Sequence, residues 1–437
     1  MKDEPIVSRA QALTEVRRIL VNNLKLDREP AHIDPDVPLF GTGLGLDSVD
    51  AVELLVALET ALGIRMPEET RAHIHLRTVN TVVDLVMAHA GRARAGVNAL
   101  PTGLRPAEAG SSDEMRALRE ATAFSRHPEL LVVRLEGADA FTTLDQLVPT
   151  DLYLREGQLR QSLLLDDDAR PFADLYIGND DGSFWLIAEG TAPDTLAASL
   201  GAAERRAYHE DHDMISIHGP WAWELVAALL GEDLVALPYL SFFHLDGGGV
   251  CFRGGKTGEF GYDLLLPKER TTTFVERLRE VGAAFDLSEI GASTLAQARR
   301  ETFFFDPAAW AGWDVTPHEL QLRWRCSRRK DVDFRGARAL RAREATHRAS
   351  CLVSASPLEG DVYLREGRAV GQTVHAGWSP TLERYVGHAL LERDVPDSDV
   401  EQLLVGGAEA CLVSPPVLAN QSLSVDPRRD RYSERQR

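Results

Sequence analysis

Over the first ninety residues the apolar positions recur at helical spacing. Leu13, Val16, Ile19, Leu20 and Leu24 share one side of a helix through 10–24. A loop carrying Asp34, Pro35, Asp36, Pro38, Gly41, Gly43 and Gly45 follows. A second helix is predicted to start at about Ser48, with Asp47 as its cap and Val52, Leu55, Val56 and Leu62 on its buried side. A third apolar stretch, Val79 to Met87, again has helical period. Residues 1–90 therefore read as a small all-helical bundle. From 91 to 112 the pattern dissolves into GRARAGVNALPTGLRPAEAGSS, a linker by composition. A flexible coil of about twenty residues spans roughly 25 Å, so the bundle is expected to be tethered but mobile.

Beyond the linker, short strands alternate with helices. Leu130–Gly137, Leu159–Leu165, Ala173–Ile177 and Ser183–Ala188 read as strands, with a helical segment around Leu144 and a helix over Pro220–Leu230. Gly249–Arg253 and Tyr262–Leu266 flank a glycine-rich turn as a hairpin. Thr273–Val281 and Leu287–Arg300 read as helices. Short strands after Cys351, broken by Gly and Pro, suggest a small barrel. The expected division is 1–90, a linker over 91–112, an α/β region over 113–345, a barrel over 346–420 and a frayed tail over 421–437. The fold class is multidomain α+β, and a chain of 437 residues is too long for a single core, so two to four domains are expected.

The formal net charge of −19 argues against nucleic acid as a partner, since backbone phosphates demand a cationic face. Cys251, Cys326, Cys351 and Cys411 are widely spaced, with no CxxC pair, and read as buried small hydrophobes in a reducing compartment. No run of eighteen apolar residues predicts a membrane span, and the opening MKDEPIVSRAQ lacks the charge and apolar run of a secretory signal. A cytoplasmic location is expected. His209, His212, His218 and His244 form no metal-binding spacing, and no metal is assigned.

The segment GLGLDSVDAVELLVALETALGIRMPEE places Ser48 where a glycine-rich loop meets a helix start, ringed by Asp47, Asp50, Glu53 and Glu59. Taken alone, Ser48 reads as part of a helix cap. The whole stretch, with TVNTVVDLV after it, resembles acyl and peptidyl carrier proteins over nearly all of residues 8–90. That resemblance implies a four-helix carrier bundle, 4′-phosphopantetheine on Ser48, and a phosphopantetheinyl transferase, a loading enzyme and downstream synthase enzymes as partners.

In the second region three segments stand out. RPFADLYIGNDDGSFWLIAEG puts Asp174 at a strand start, where a carboxylate can move a proton or merely sit at a strand edge. CFRGGKTGEFGYDLLLP holds Glu259 in a glycine-dense turn, where a carboxylate can take two adjacent N–H donors of a heterocycle, or where the string is a plain hairpin. TPHELQLRW supplies Trp324, which stacks on a ring or packs in a core. With IHGPWAWELV and LEGDVYLREGRAVGQTVHAGWSPTLERYVGHALL, these resemble the aminomethyltransferase family, the glycine-cleavage T-protein and its folate-dependent relatives, over roughly 115–415. The resemblance implies a cloverleaf of α/β subdomains plus a C-terminal β-barrel around a channel for tetrahydrofolate. By position Asp174 matches the catalytic carboxylate, Glu259 the pterin anchor and Trp324 a channel wall.

This chain departs from the family in ways that bear on folate. Ala173 stands in place of a paired acid, Lys256 in place of a turn tyrosine, and Leu295 in place of a folate-binding arginine, for which Arg299 one turn later is a candidate substitute. Fusing a carrier to such a domain raises the local concentration of arm-bound substrate to about millimolar. The expected function is one-carbon transfer with tetrahydrofolate on an acyl or aminoacyl thioester held by Ser48, in specialised metabolite biosynthesis. The alternative is a folate-independent domain that docks the carrier, or that cyclises or eliminates the bound intermediate with Asp174 as base.

Overall fold

The computed structural model describes residues 8–63, 75–90, 112–231, 237–327, 330, 332–400 and 402–435. Two compact units divide the chain: the first takes 1–105, 315–325 and 343–419, the second 106–314, 326–342 and 420–437.

In the first unit, α1 (Arg9–Asn23), α2 (Ser48–Leu62) and α3 (Val79–His89) form the bundle. Each begins at a reciprocal capping box, on Ser8, Asp47 and Thr78, which satisfies N–H groups that a helix start leaves unpaired. Leu13, Val16, Ile19 and Leu20 of α1 are buried as their spacing predicts. The buried stripe of α2 differs from the expected one. It runs through Leu54, Ala57 and Leu58, whereas Val52 and Val56 are 61% and 57% exposed. Most of GIRMPEE lies outside the described residues.

The second unit has two sheets. One is six-stranded, in the order β11-β1-β7-β10-β9-β8, from β1 (Thr122–Arg126), β7 (His212–His218), β8 (Ser241–Leu245), β9 (Gly249–Gly254), β10 (Gly261–Pro267) and β11 (Leu287–Glu289). The other is β3-β4-β5-β2-β6, from β2 (Leu131–Leu135), β3 (Leu159–Leu165), β4 (Pro171–Asp180), β5 (Ser183–Glu189) and β6 (Arg205–Ala207). Residues 287–300, expected as one helix, divide into β11 and a helix over Ala292–Thr302, because Gly291 takes an extended conformation at the boundary.

Period-2 alternation decides which side chains meet between the sheets. On β4, Ala173, Leu175 and Ile177 point into one apolar core with Leu144, while Tyr176 shares another with Met214, Val250, Phe252 and Leu265 of the six-stranded sheet. The two sheets are therefore layers over a common apolar filling, and Asp174 lies on the Tyr176 side of its strand.

The barrel of the first unit is closed: β12 (His347–Ser354), β15 (Arg384–Glu392), β14 (Ala369–Ser379), β13 (Asp361–Tyr363), β16 (Gln402–Val405) and β17 (Ala408–Val413), with β17 returning to β12.

Bundle and barrel are joined by buried polar contacts. Arg9, 2% exposed, donates to Asn80 Oδ1 at 2.9 Å, to Ser414 Oγ at 3.0 Å and to Asp84, and its backbone N–H reaches Asp399. Arg77 donates to the Leu418 carbonyl. Asp36 accepts from Asn80 and, at 2.6 Å, from Gln321, whose amide also donates to the Ala349 carbonyl of β12. This replaces the expectation of a bundle merely hung on a linker. The linker itself lies outside the described residues apart from Ser112, which caps the helix over Asp113–Glu120.

The tail expectation is corrected too. Tyr432 is 6% exposed, packs on Trp221 and Phe285, and donates its hydroxyl to Asp286 at 2.6 Å. One aromatic anchor with a satisfied hydroxyl holds a segment whose composition is otherwise polar.

Candidate functional site

The pairing of β4 with β5 sets Asp174 directly opposite Glu189. Two carboxylates so placed repel unless a cation joins them. Lys256, from the turn between β9 and β10, is that cation: its Nζ lies 2.6 Å from Asp174 Oδ2 and 2.6 Å from Glu189 Oε2. Arg299, on the helix over Ala292–Thr302, pairs with the other oxygen of Glu189. All four side chains are largely buried, with Asp174 at 1% exposure.

The charges balance as two acids and two bases. Burial pushes Glu189 up, but Lys256 and Arg299 outweigh it and hold its carboxyl at about 2. Burial likewise works against the Lys256 ammonium, yet Asp174 and Glu189 raise it above the ordinary lysine value. Lys256 is thus a held proton rather than a free amine. The ammonium also lies 5.4 Å from the ring centroid of Tyr176.

Arg299 was reached from sequence as a substitute for Leu295, and the structure puts it in the Asp174 group. Leu295 is 7% exposed in an apolar cluster with Met115, Leu118, Ile290 and Ala298. Glu189 was missed. Its signal was present: Asp181-Gly182 is a two-residue hairpin turn, and counting back from it pairs 174 with 189.

Glu259 is buried in a different setting. Oε1 accepts from Arg119 at 3.3 Å and Asn420 Nδ2 at 2.9 Å, and Oε2 accepts from the Ser422 N–H at 2.9 Å and its hydroxyl at 2.5 Å. Arg119 is shared with Glu301 at 2.7 Å and the Thr257 carbonyl at 2.6 Å. Gly258 permits this closeness, since at φ +85° a Cβ there would meet Asn420 and Thr302 at 2.6 Å. A carboxylate offers about four acceptor positions, and the chain's own donors take them all. As folded, Glu259 does not fit the role of a pterin anchor. Asn420 and Ser422 come from the segment read as the end of the barrel and the tail, so nothing local to the TGE string announced them.

Trp324 belongs to the first unit, where it packs against the apolar core of the bundle and Arg325 covers its ring at 5.0 Å. Ser48 is the first residue of α2, on the helix start that its sequence predicted.

A family model for the GCVT N-terminal domain matches residues 81–330. The chain belongs to the GCVT family. A model for the phosphopantetheine attachment site matches residues 14–86, so this member also carries a carrier domain. Relatives named aminomethyltransferase include one from Desulfitobacterium hafniense strain Y51, 25% identical over 300 residues, covering 65% of this chain and 82% of that protein. Another, from Synechococcus sp. strain CC9902, is 30% identical over 305 residues, covering 64% and 82%. The crystal structure of the glycine cleavage system aminomethyltransferase T from Bartonella henselae superposes with a TM-score of 0.63 at 19% identity, over 70% of this chain and 89% of that one, which shows the shared fold. Among the described residues no helix is long and apolar enough to cross a membrane.

Proposed function

We propose that this GCVT-family chain transfers a one-carbon unit to or from an acyl or aminoacyl thioester held by phosphopantetheine on Ser48. The observation that carries this reading is the burial of Arg9 among Asn80, Asp84 and Ser414, which makes the carrier bundle part of the same compact unit as the barrel. A carrier built in this way is dedicated to the domain it is built into. The Asp174–Lys256–Glu189–Arg299 group supplies the polar chemistry: a buried ammonium to polarise a carbonyl, and carboxylates to orient an amine. Tetrahydrofolate is the one-carbon carrier that the family resemblance implies. A phosphopantetheinyl transferase and a loading enzyme are then required, and the setting is specialised metabolism in the cytoplasm.

A second reading, folate-independent chemistry on the same thioester, is favoured by the saturated carboxylate of Glu259 and by Leu295 in its apolar cluster. One experiment separates them. The full chain is converted to its phosphopantetheine form, loaded with an aminoacyl group, incubated with methylene- or methyl-tetrahydrofolate, and weighed intact. A mass change of one carbon unit that needs folate supports the first reading. A mass change without folate supports the second, and no change under any condition refutes both.

A further inference from the structure

The space between the two sheets of the second unit changes character along its length. Tyr176, Met214, Val250, Phe252 and Leu265 fill one stretch of it with apolar packing. Two residues along from Met214 and Leu265, the same faces of β7 and β10 carry Ser216 and Asp263, which pair in register. The Ser216 hydroxyl donates to Asp263 Oδ1 at 2.5 Å. The other oxygen, Oδ2, has no hydrogen-bond partner among the described residues, and no base among them touches the carboxylate. β10 runs between β7 and β9, yet Asp263 is half-buried, so its carboxylate borders open space between the layers.

Gly254 of β9 marks that space. A Cβ there would lie 3.5 Å from the Tyr176 ring, 3.6 Å from the Tyr176 hydroxyl and 3.7 Å from Asp263 Oδ2, each an ordinary contact. A methyl-sized opening therefore has Oδ2 on one side and Tyr176 on the other. The same opening adjoins the charged group. Tyr176 stands two residues from Asp174 on one face of β4, and the Lys256 ammonium is 5.4 Å from its ring centroid. Lys256, Glu189 and Arg299 keep 11%, 12% and 13% of their side chains exposed, so they are within reach of a bound molecule.

Within the charged group the signs cancel, Lys256 and Arg299 against Asp174 and Glu189. Asp263 is a third acid beside them. Burial holds its carboxyl above the ordinary value, against the Ser216 hydrogen bond and the charges of His127, Lys256 and Arg299. A cation entering the opening would meet an anion with an oxygen to spare, whereas an anion would be repelled. One free carboxylate oxygen is too few for a hard metal ion, which takes about six oxygens, but it suffices for an ammonium. We propose that Asp263 binds the substrate's amino group, as an ammonium, in the opening beside Gly254 and Tyr176. The inference rests on the proposed function and narrows its acyl or aminoacyl thioester to an aminoacyl one. The same placement leaves the Lys256 ammonium, on the far side of the Tyr176 ring, for the carbonyl end of the molecule.

The test compares two probes of one shape on the full chain: the glycyl thioester of N-acetylcysteamine, and the propionyl thioester, which has a methyl group in place of the ammonium. Binding is read by isothermal titration calorimetry at slightly acid pH, where the amine is protonated. The wild-type chain should bind the glycyl probe about 10–100-fold more tightly, the worth of a hydrogen bond to a charged group. Asp263→Asn, which keeps an acceptor for Ser216, should remove that preference and leave the propionyl affinity unchanged. Gly254→Ala, whose methyl group fits without a clash, should weaken both probes by filling the opening. Equal affinity of the wild-type chain for the two probes, no binding of either, or a glycyl preference that survives Asp263→Asn overturns the inference. If Asp263→Asn does not fold, the wild-type comparison and Gly254→Ala decide. The loaded-carrier mass experiment is read separately. One-carbon transfer to an acyl group with no amine would leave the proposed function standing and the amine site fallen, and a glycyl preference with no transfer would do the reverse.

Discussion

Lys256→Met is the most direct probe of the charged group. The substitution keeps most of the side-chain volume and removes the cation that bridges Asp174 and Glu189. Asp174, 1% exposed, then faces Glu189 across the β4–β5 pair without the ammonium that joined them, while Arg299 stays on Glu189. Removing one partner of a buried ion pair costs about 3–5 kcal/mol, because the remaining charge stays buried without compensation. For a unit of this size each kcal/mol moves Tm by about 2–4 °C, so the expected drop at pH 7 is roughly 6–20 °C.

The pH dependence carries the stronger test. Glu189 sits at about 2 in the folded chain against an ordinary 4.5. A depressed carboxyl adds stability above its unfolded value and loses it as pH falls toward the folded one. In the variant much of that contribution is already gone. The gap between wild type and Lys256→Met should therefore be widest at pH 6–7 and narrow steadily toward pH 3. Thermal unfolding followed by circular dichroism across that range reads it directly. Adding Asp174→Asn to the variant should return part of the loss by removing one of the stranded charges. A neutral-pH Tm equal to wild type, a gap that does not narrow with acid, or a double variant no better than the single would each refute the reasoning.

The other predictions are simpler. Ser48→Ala should abolish the mass gain on treatment with a phosphopantetheinyl transferase while leaving the circular dichroism spectrum unchanged. Burial raises Asp34 and Asp36 to about 6, against the opposing pull of Arg323 on the first and of Asn80 and Gln321 on the second. A raised carboxyl binds its proton on folding, so the first unit should gain stability as pH falls from 7 through 6 to 5; a Tm that declines over that interval contradicts this. Replacing Asn420 and Ser422 together by alanine frees two donors' worth of Glu259 carboxylate. Each lost buried hydrogen bond costs about 1–3 kcal/mol, so the double variant should melt lower. If Glu259 anchors a pterin, its tryptophan fluorescence should be quenched by tetrahydrofolate at lower concentration than wild type; equal or weaker quenching sinks the anchor.

Local regularities were legible in the sequence. The periods of 3.6 and 2 located the helices of the bundle and the strands flanking Asp174, and the cap read at Asp47 stands where its helix begins. The ordered motifs GLGLDSVD and GGKTGE carried the family, because short backbone-dependent strings keep their spacing when the rest of the chain drifts. Helix rotation was not legible: α2 has apolar residues on more than one side, and only packing against α1 and α3 selected Leu54 and Leu58 over Val52 and Val56. Partnership between distant residues was hidden for a similar reason. Lys256 meets Asp174, Ser422 meets Glu259 and Arg9 meets Ser414 across separations that leave no periodic trace, since an ion pair or a hydrogen bond depends on where two backbones cross. The sequence by itself determined which elements form and which chemistry the chain has to hand. Tertiary structure alone decided that Asp174 is paired, that Glu259 is filled and that the polar tail is an anchor, because burial makes every charge find its partner and the fold determines which one is within reach.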